Sequence, residues 1–414
     1  MVNINYYSAI ISLIIPFLIL GPFVPDLIVS LSSLVFLGYV FKDRLFFYFT
    51  KKPLIIFFTF CLYCILVSIF VAEDMMLSFE SSLFYFRIGV FSCLVWYLIE
   101  QDKKMLDYFY YIFIFCFLAL VIDGYYQYFT GYNLIGLKVA GVRVSSFFGD
   151  ELIMGSYLSR LYPFAFALFL LRRQNKLEIS FVTILFILTS SLIYISGERT
   201  ALFFHLLSFT FIALLVKKLK FTTIFILLSF IGIVSIFTFH DSSLKNRMLK
   251  SPVETIGINK DIQYIFTPQH DSLIRTAYNM FLDKPFFGHG PKMFRVICKD
   301  EKYAIGITPC MTHPHNFYVQ LLAETGMIGF LFLFSALLYV VYCALRQLKT
   351  IVFKEQRYLT DYQVCLLTCL LITVWPLSPN GNFFNNWLMI CYSLPVGFYL
   401  HSIYGKNRKE VLKE

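Results

Sequence analysis

Charge is scarce in this chain. Asp, Glu, Lys and Arg make up 14% of its 414 residues, against 58% apolar and 19% aromatic residues and a mean hydropathy of +0.71. A soluble domain cannot hide that much apolar surface, so an ordinary globular protein is excluded and an all-α integral membrane protein is expected. Met1 to Tyr7 holds neither Lys nor Arg, so no cleavable signal peptide is expected. Internal repeats and low-complexity tracts are absent, which argues against a solenoid and a transporter of two related halves. Zinc-ligand spacing is missing too.

The charges that are present sit in a pattern. A net charge of +10 would suit nucleic acid, but the cations fall in short clusters between apolar runs, as the positive-inside rule describes. The runs lie at roughly 8–22, 26–41, 54–72, 81–99, 107–129, 153–171, 179–195, 201–216, 222–239, 317–343, 362–377 and 388–404, each near the ~20 residues that span ~30 Å of hydrocarbon. One set of loops carries Lys42, Arg44, Lys51 and Lys52, then Lys103 and Lys104, then Arg172, Arg173 and Lys176, then Lys217, Lys218 and Lys220. Arg346, Lys349, Lys354 and Arg357 follow, and Lys406, Arg408, Lys409 and Lys413 close the tail. The short loops 23–25, 73–80 and 378–387 have none. This alternation predicts about twelve spans with both termini cytoplasmic. Residues 1–239 would hold the first nine with a smaller periplasmic loop at 130–152, residues 240–316 a large periplasmic loop, and residues 317–414 the last three with a cytoplasmic tail.

Short helices are expected in the large loop. HDSLIRTAYNMFLDKPFFGHGP reads as one, capped by Asp271 or Ser272, with Leu273, Ala277, Tyr278 and Phe281 as its apolar stripe and Pro285 with Gly288 at its end. Eight cysteines lie in or beside apolar runs, where a thiol packs as a small hydrophobe. Cys298 and Cys310 lie in the loop and are free to pair if that compartment is oxidising.

Ionisable groups at or inside apolar runs are costly unless they pair or face a cavity. They are Arg87, Asp123, Arg160, Glu198, Arg199, His205 and Glu324. For Arg199 in SGERTAL the plain structural alternative is an arginine snorkelling to the interface beside Glu198. The large loop adds Arg275, and THPHNFYVQLLAETGMIGF adds His313 and His315. Histidines at a membrane boundary are usually interfacial, and HPH alone is not a metal motif; His289 is the other nearby imidazole. A neutral imidazole takes a proton from a hydroxyl at physiological pH, and arginine presents a charged fork suited to phosphate oxygens. Together they suit attack by an alcohol with departure of a lipid diphosphate, the arginines doing what Mg²⁺ does elsewhere.

These residues also carry a resemblance. His315, Asn316, nine residues, Gly326, two residues and Gly329 resemble the His-Asn/Ser/Gln-x9-Gly-x-x-Gly/Thr/Tyr signature of the O-antigen ligases. SGERTAL resembles that family's Arg-Thr/Ser-Ala turn, and IRTAYNMFLDKPFFGHGPKMF its arginine-bearing loop helix followed by Pro and Gly-x-Gly. GVRVSSFFGDELIMGSYL is similar to its outer-loop segment. The resemblance covers most of 120–330; the N-terminal third and the last two spans match in hydropathy alone. It implies a GT-C-like glycosyltransferase of the bacterial inner membrane with a periplasmic active site and no metal or other cofactor. The donor would be an undecaprenyl-diphosphate-linked glycan and the acceptor lipid A–core oligosaccharide, with membrane lipids around it and no nucleic acid. By motif position His315 would be the general base, and Arg199 and Arg275 would bind the diphosphate. Arg143, Arg160, His313, Glu324 and Asn316 are secondary candidates.

Asn316 is expected to cap the tenth span, whose first turns would stand proud of the bilayer, because 317–344 runs ~42 Å at ~1.5 Å per residue. Gly326 and Gly329 would let another helix approach. Glu324 would orient a neighbour or pack against a buried arginine. A glycan polymerase of the same superfamily is the nearest rival reading, followed by a relative that glycosylates protein. A polytopic transporter or flippase is the rival from another class, and a non-enzymatic scaffold is less favoured still.

Overall fold

The computed structural model describes residues 4–172, 175–256, 264 and 266–407. Arg173, Arg408, Lys409 and Lys413, used above to assign sides, lie outside the described residues. Among the described residues the regular structure is helical, and β-type pairing is confined to two isolated bridges, Tyr132 with Lys138 and Ala140 with Arg143.

Each expected apolar run coincides with helix. Among the described residues eight helices are long and apolar enough to cross a membrane. In chain order the helices are α1 (Ile4–Leu20), α2 (Phe23–Lys42), α3 (Lys52–Phe70), α4 (Met75–Gln101, with a turn before Arg87), α5 (Lys104–Thr130), α6 (Met154–Leu171) and α7 (Lys176–Ile195). They continue as α8 (Arg199–Leu215), α9 (Lys220–His240), α10 (Pro268–Asp283), α11 (Phe317–Val352), α12 (Asp361–Thr373) and α13 (Asn386–Tyr404). The shorter apolar helices are α1, α8 and α12, so the count of about twelve spans rests on these and α13 crossing as well.

Burial orders the bundle. The apolar stretch of α6 is 89% buried, whereas those of α9 and α11 are 17% and 22% buried. α6 is therefore the central post, with α8 and α12 packed along it, while α4 packs along α13 and α11 lies against α3. Pro163 in α6 and Pro395 in α13 lie inside helices, which membrane helices tolerate because neighbours re-satisfy the freed backbone groups.

Several costly polar groups turn out to be anchors. Arg87 pairs with Asp26 at 2.6 Å, tying α4 to α2. Asp123 on α5 accepts from the Leu134 N–H at 2.8 Å and the Ser146 hydroxyl at 2.5 Å. Gln127 one turn later accepts from the N–H groups of Ser145 and Ser146. These two side chains fold the 130–152 loop onto the end of α5. His205 is buried among the rings of Tyr162, Phe209 and Phe230.

Two local expectations are corrected by backbone chemistry. α10 starts earlier than Asp271 or Ser272: Thr267 is its cap, accepting from the His270 N–H at 3.2 Å, with Pro268 at the first helical position. A proline there loses no helical hydrogen bond and has the right φ already. Its buried stripe is Asp271, Ser272, Leu273, Thr276, Ala277 and Met280, and Tyr278 is exposed. The second correction is at Gly326, where α11 breaks (φ 65°, ψ −165°). The approach there is not by a helix. The 285–290 turn crosses instead: the Met327 N–H donates to the Pro285 carbonyl at 2.8 Å, and the Gly290 N–H to the Glu324 carbonyl at 2.7 Å. A Cβ on Gly326 would lie 2.2 Å from the Phe286 carbonyl oxygen, and one on Gly288 2.5 Å from the Glu324 backbone. The paired glycines of FGHGP and ETGMIG are two sides of one backbone crossing. Gly329 instead receives the Thr325 side chain of its own helix.

Gly326→Ala should therefore lower the thermal unfolding midpoint of the purified protein more than Gly329→Ala. The backbone at Gly326 lies in a region that costs a side-chain-bearing residue on the order of 1–3 kcal/mol, before any overlap with Phe286. At Gly329 the obstructing atom belongs to a side chain that can turn. Equal midpoints for the two variants would overturn the crossing as the reason for the motif.

Candidate functional site

The site is built where α11 begins. His315 sits in a left-handed backbone conformation (φ 56°), uncommon for a residue with a side chain, and its carbonyl accepts from the Asn380 N–H at 2.7 Å. Asn316 caps α11 as expected, its Oδ1 accepting from the N–H groups of Tyr318 and Val319 at 3.0 and 3.2 Å. Its Nδ2 donates to the Pro376 carbonyl at 2.8 Å. The turn is thus held from two sides by the α12–α13 connection.

Three imidazoles gather there. The His313 ring centre lies 4.1 Å from that of His315, and His270, from the first turn of α10, stands edge-on at 5.3 Å. The Thr267 hydroxyl that caps α10 also lies 2.8 Å from His270 Nδ1. Burial lowers His315 below its ordinary value of 6.5. Burial and then the charge of His315 push His270 down to about 4. Burial, followed by His315 and Arg295, takes His313 to about 3. Each shift favours the neutral imidazole, the form in which a nitrogen accepts a proton. Among the described residues no three His, Cys, Asp or Glu side chains are placed to hold a metal ion together.

Glu324 does not face this turn. It is fully buried, accepting from the Phe294 N–H at 3.2 Å and from Gln320 Nε2 at 2.9 Å. The same Gln320 reaches Asn382, and its Oε1 accepts from the Phe383 N–H. Glu324 therefore fastens the loop helix Phe294–Ile297 and the α12–α13 connection to α11. His289 is likewise an anchor, its Nε2 lying 3.0 Å from the Met280 carbonyl. Cys298 and Cys310 are joined as a disulfide, with Cα atoms 5.0 Å apart, and the other eight cysteines are buried thiols.

The arginines divide into three places. Arg199 opens α8, its Nε donating to the Arg247 carbonyl at 3.0 Å and its Nη2 to the Ser251 hydroxyl at 2.8 Å. Arg143 comes to the same turn, donating to the Leu152 carbonyl at 2.5 Å. Arg160 is buried in α6 between the Phe204 and Tyr392 rings, 4.8 and 5.0 Å from their centres, with Nη2 3.5 Å from Asn380 Oδ1. It thus touches the residue that holds the His315 carbonyl. Arg275 lies on α10 beyond His270, paired with Asp271 at 2.7 Å, its side chain 56% exposed. Among the described residues no contact joins Arg275 to Arg199 or to His315.

The residues that motif reading passed over are His270, Arg247 and Asn380. His270 stood five positions before Arg275 in a quoted stretch, and Thr-Pro before it marked a helix start; that signal was available. Arg247 and Asn380 carry none, because their importance comes from contacts across the fold.

No match was found among curated proteins. A family model does match. Residues 184–334, which include Arg199, Arg275, His315 and both motif glycines, match the model described as O-antigen ligase.

Proposed function

We propose that the protein is an O-antigen ligase-type glycosyltransferase of the bacterial inner membrane. It moves a glycan from undecaprenyl diphosphate to lipid A–core oligosaccharide at the periplasmic face. The family implies a glycosyltransferase-like enzyme with glycan and lipid-linked substrates, and the apolar helices a multi-pass membrane protein. The observation that carries the finer reading is the half-buried His315, which burial favours in its neutral form, at the mouth of α11 beside the loop helix that bears Arg275. The acceptor hydroxyl oxygen attacks the anomeric carbon as the bond from that carbon to the diphosphate oxygen breaks. The hydroxyl proton goes to His315, and undecaprenyl diphosphate leaves with its negative charge on Arg199 and on Arg275, which turns from Asp271 to meet it. Charge grows on the bridging oxygen in the transition state, so fixed cations there act on rate as well as on binding. In this reading Arg143 and Arg160 support the site, and no metal is needed.

The disulfide in the 240–316 segment favours placing that segment in an oxidising compartment. Cysteine labelling tests the sides. Tyr278→Cys on exposed α10 should react with an impermeant reagent from the periplasm, and Lys354→Cys only after the membrane is opened. Labelling of both from one side would remove the alternating topology on which a shared periplasmic face depends.

A glycan profile of a deletion strain tests the reaction. Loss of all capped lipid A–core supports ligation, whereas retention of single-unit caps makes the protein a polymerase of the same superfamily.

A further inference from the structure

Cations rarely gather at a membrane face unless something negative completes them. At the turn between α7 and α8 three arginines gather around one glycine. Gly197 has φ +68°, and a Cβ there would stand 3.0 Å from Arg247 Nε and 3.2 Å from Arg143 Cγ. Arg247 Nε donates to the Gly197 carbonyl at 2.8 Å, and the Arg247 carbonyl accepts from Arg199. The three side chains donate to neutral groups: the carbonyls of Gly197, Leu152 and Arg247 and the hydroxyl of Ser251.

The nearby carboxylate is already committed. Glu198 accepts from the Gly155 N–H at 2.6 Å, the Ser156 N–H at 3.1 Å and the Ser156 hydroxyl at 2.7 Å, which fastens the turn to the start of α6. Among the described residues none of the three arginines forms an ion pair. Burial, then the charges of Arg143 and Arg199, make protonation of Arg247 less favourable, against a smaller opposing effect of Glu198. Arginine keeps its proton even so, so the repulsion is stored in the fold. The N-terminus of α8, opening at Arg199, adds partial positive charge to the same spot.

We infer that Arg143 and Arg247 join Arg199 around Gly197 as a receptor for a diphosphate rather than a single phosphate, in addition to the Arg275 contact proposed above. The inference rests on the proposed function for the identity of the donor, but the receptor itself is argued from the charge cluster. One guanidinium fork takes two oxygens of one phosphate, and a diphosphate offers a second set that one or two arginines leave unmatched. A receptor of this kind holds a lipid diphosphate, before and after the glycan leaves it, more tightly than a lipid monophosphate.

Binding of inorganic pyrophosphate and of inorganic phosphate to the full-length protein in nanodiscs, by calorimetry, tests this. Arg247→Gln is the variant of choice, since its amide can keep the hydrogen bond to the Gly197 carbonyl while the charge is lost. Pyrophosphate should bind the wild type at least about tenfold more tightly than phosphate, in line with an added charge-assisted pair. Arg247→Gln should erase that preference with an unchanged thermal midpoint, and His315→Ala should keep it. In transfer assays Arg247→Gln should raise the donor KM more than the acceptor KM. Pyrophosphate binding unchanged in a folded Arg247→Gln protein, or no preference in the wild type, overturns the receptor. If the variant is unfolded, Arg247→Lys is read by the same two criteria. An Arg247-dependent pyrophosphate site in a protein that transfers no glycan would overturn the proposed function and leave the receptor standing.

Discussion

Replacing His315 with alanine should lower glycan transfer by about 10²–10⁴-fold, the usual contribution of a positioned general base. Protein level and donor binding should change little, because the turn is also held by contacts that the imidazole does not make. They run from the His315 carbonyl to Asn380 and from the Asn316 side chain to α11 and Pro376. The pH profile gives the same test in the wild type. A base works in its neutral form, and burial lowers His315 below 6.5. Transfer should therefore be level through neutral pH and fall as the pH is lowered through that depressed value. His313→Ala should be milder, since His313 packs on the His315 ring without occupying the motif position. Full activity of His315→Ala, or a rate that declines only above neutrality, would remove the assignment.

The second large effect concerns arginine geometry. Arg199→Lys and Arg275→Lys should each lower transfer strongly, with turnover reduced at least as much as donor binding. Lysine keeps the charge but not the planar fork that meets two oxygens at once. At position 199 it would also lose the paired reach to the Arg247 carbonyl and the Ser251 hydroxyl. The loss falls on turnover because charge on the bridging oxygen is largest as the glycosidic bond breaks. Steady-state rates at saturating donor, with binding measured separately, check this. Normal rates in both Lys variants would mean that the arginines hold structure only.

Hydropathy and charge alternation located the apolar helices because both act locally along the chain. Asn316 was legible as a cap for the same reason: capping chemistry is decided within a few residues. The start of α10 was legible too, in Thr267 and Pro268, but Asp271 and Ser272 are equally good caps by type. Which one serves is decided by the packing of Leu273, Ala277 and Met280 against the loop core. The spacing of Gly326 suits a helix-contact glycine, whereas the structure uses it to break α11 under the 285–290 turn. The spacing is identical in the two cases, and only the partner differs. Asp123 and Glu324 stand out in the sequence as costly groups, yet their partners include loop N–H groups that hydropathy cannot place. Arg247 was invisible because a lone arginine in a loop becomes notable only when Gly197 and Arg143 are folded against it.

The most direct measurement is transfer in proteoliposomes from an undecaprenyl-diphosphate-linked glycan to lipid A–core, by the purified wild type and His315→Ala, each with and without a metal chelator. Glycosylated lipid A–core should form with the wild type at the same rate in chelator and be lost in His315→Ala. Lengthening of the lipid-linked glycan without transfer to lipid A–core, or arrest of the wild type by chelator, would contradict a metal-independent ligase working through His315.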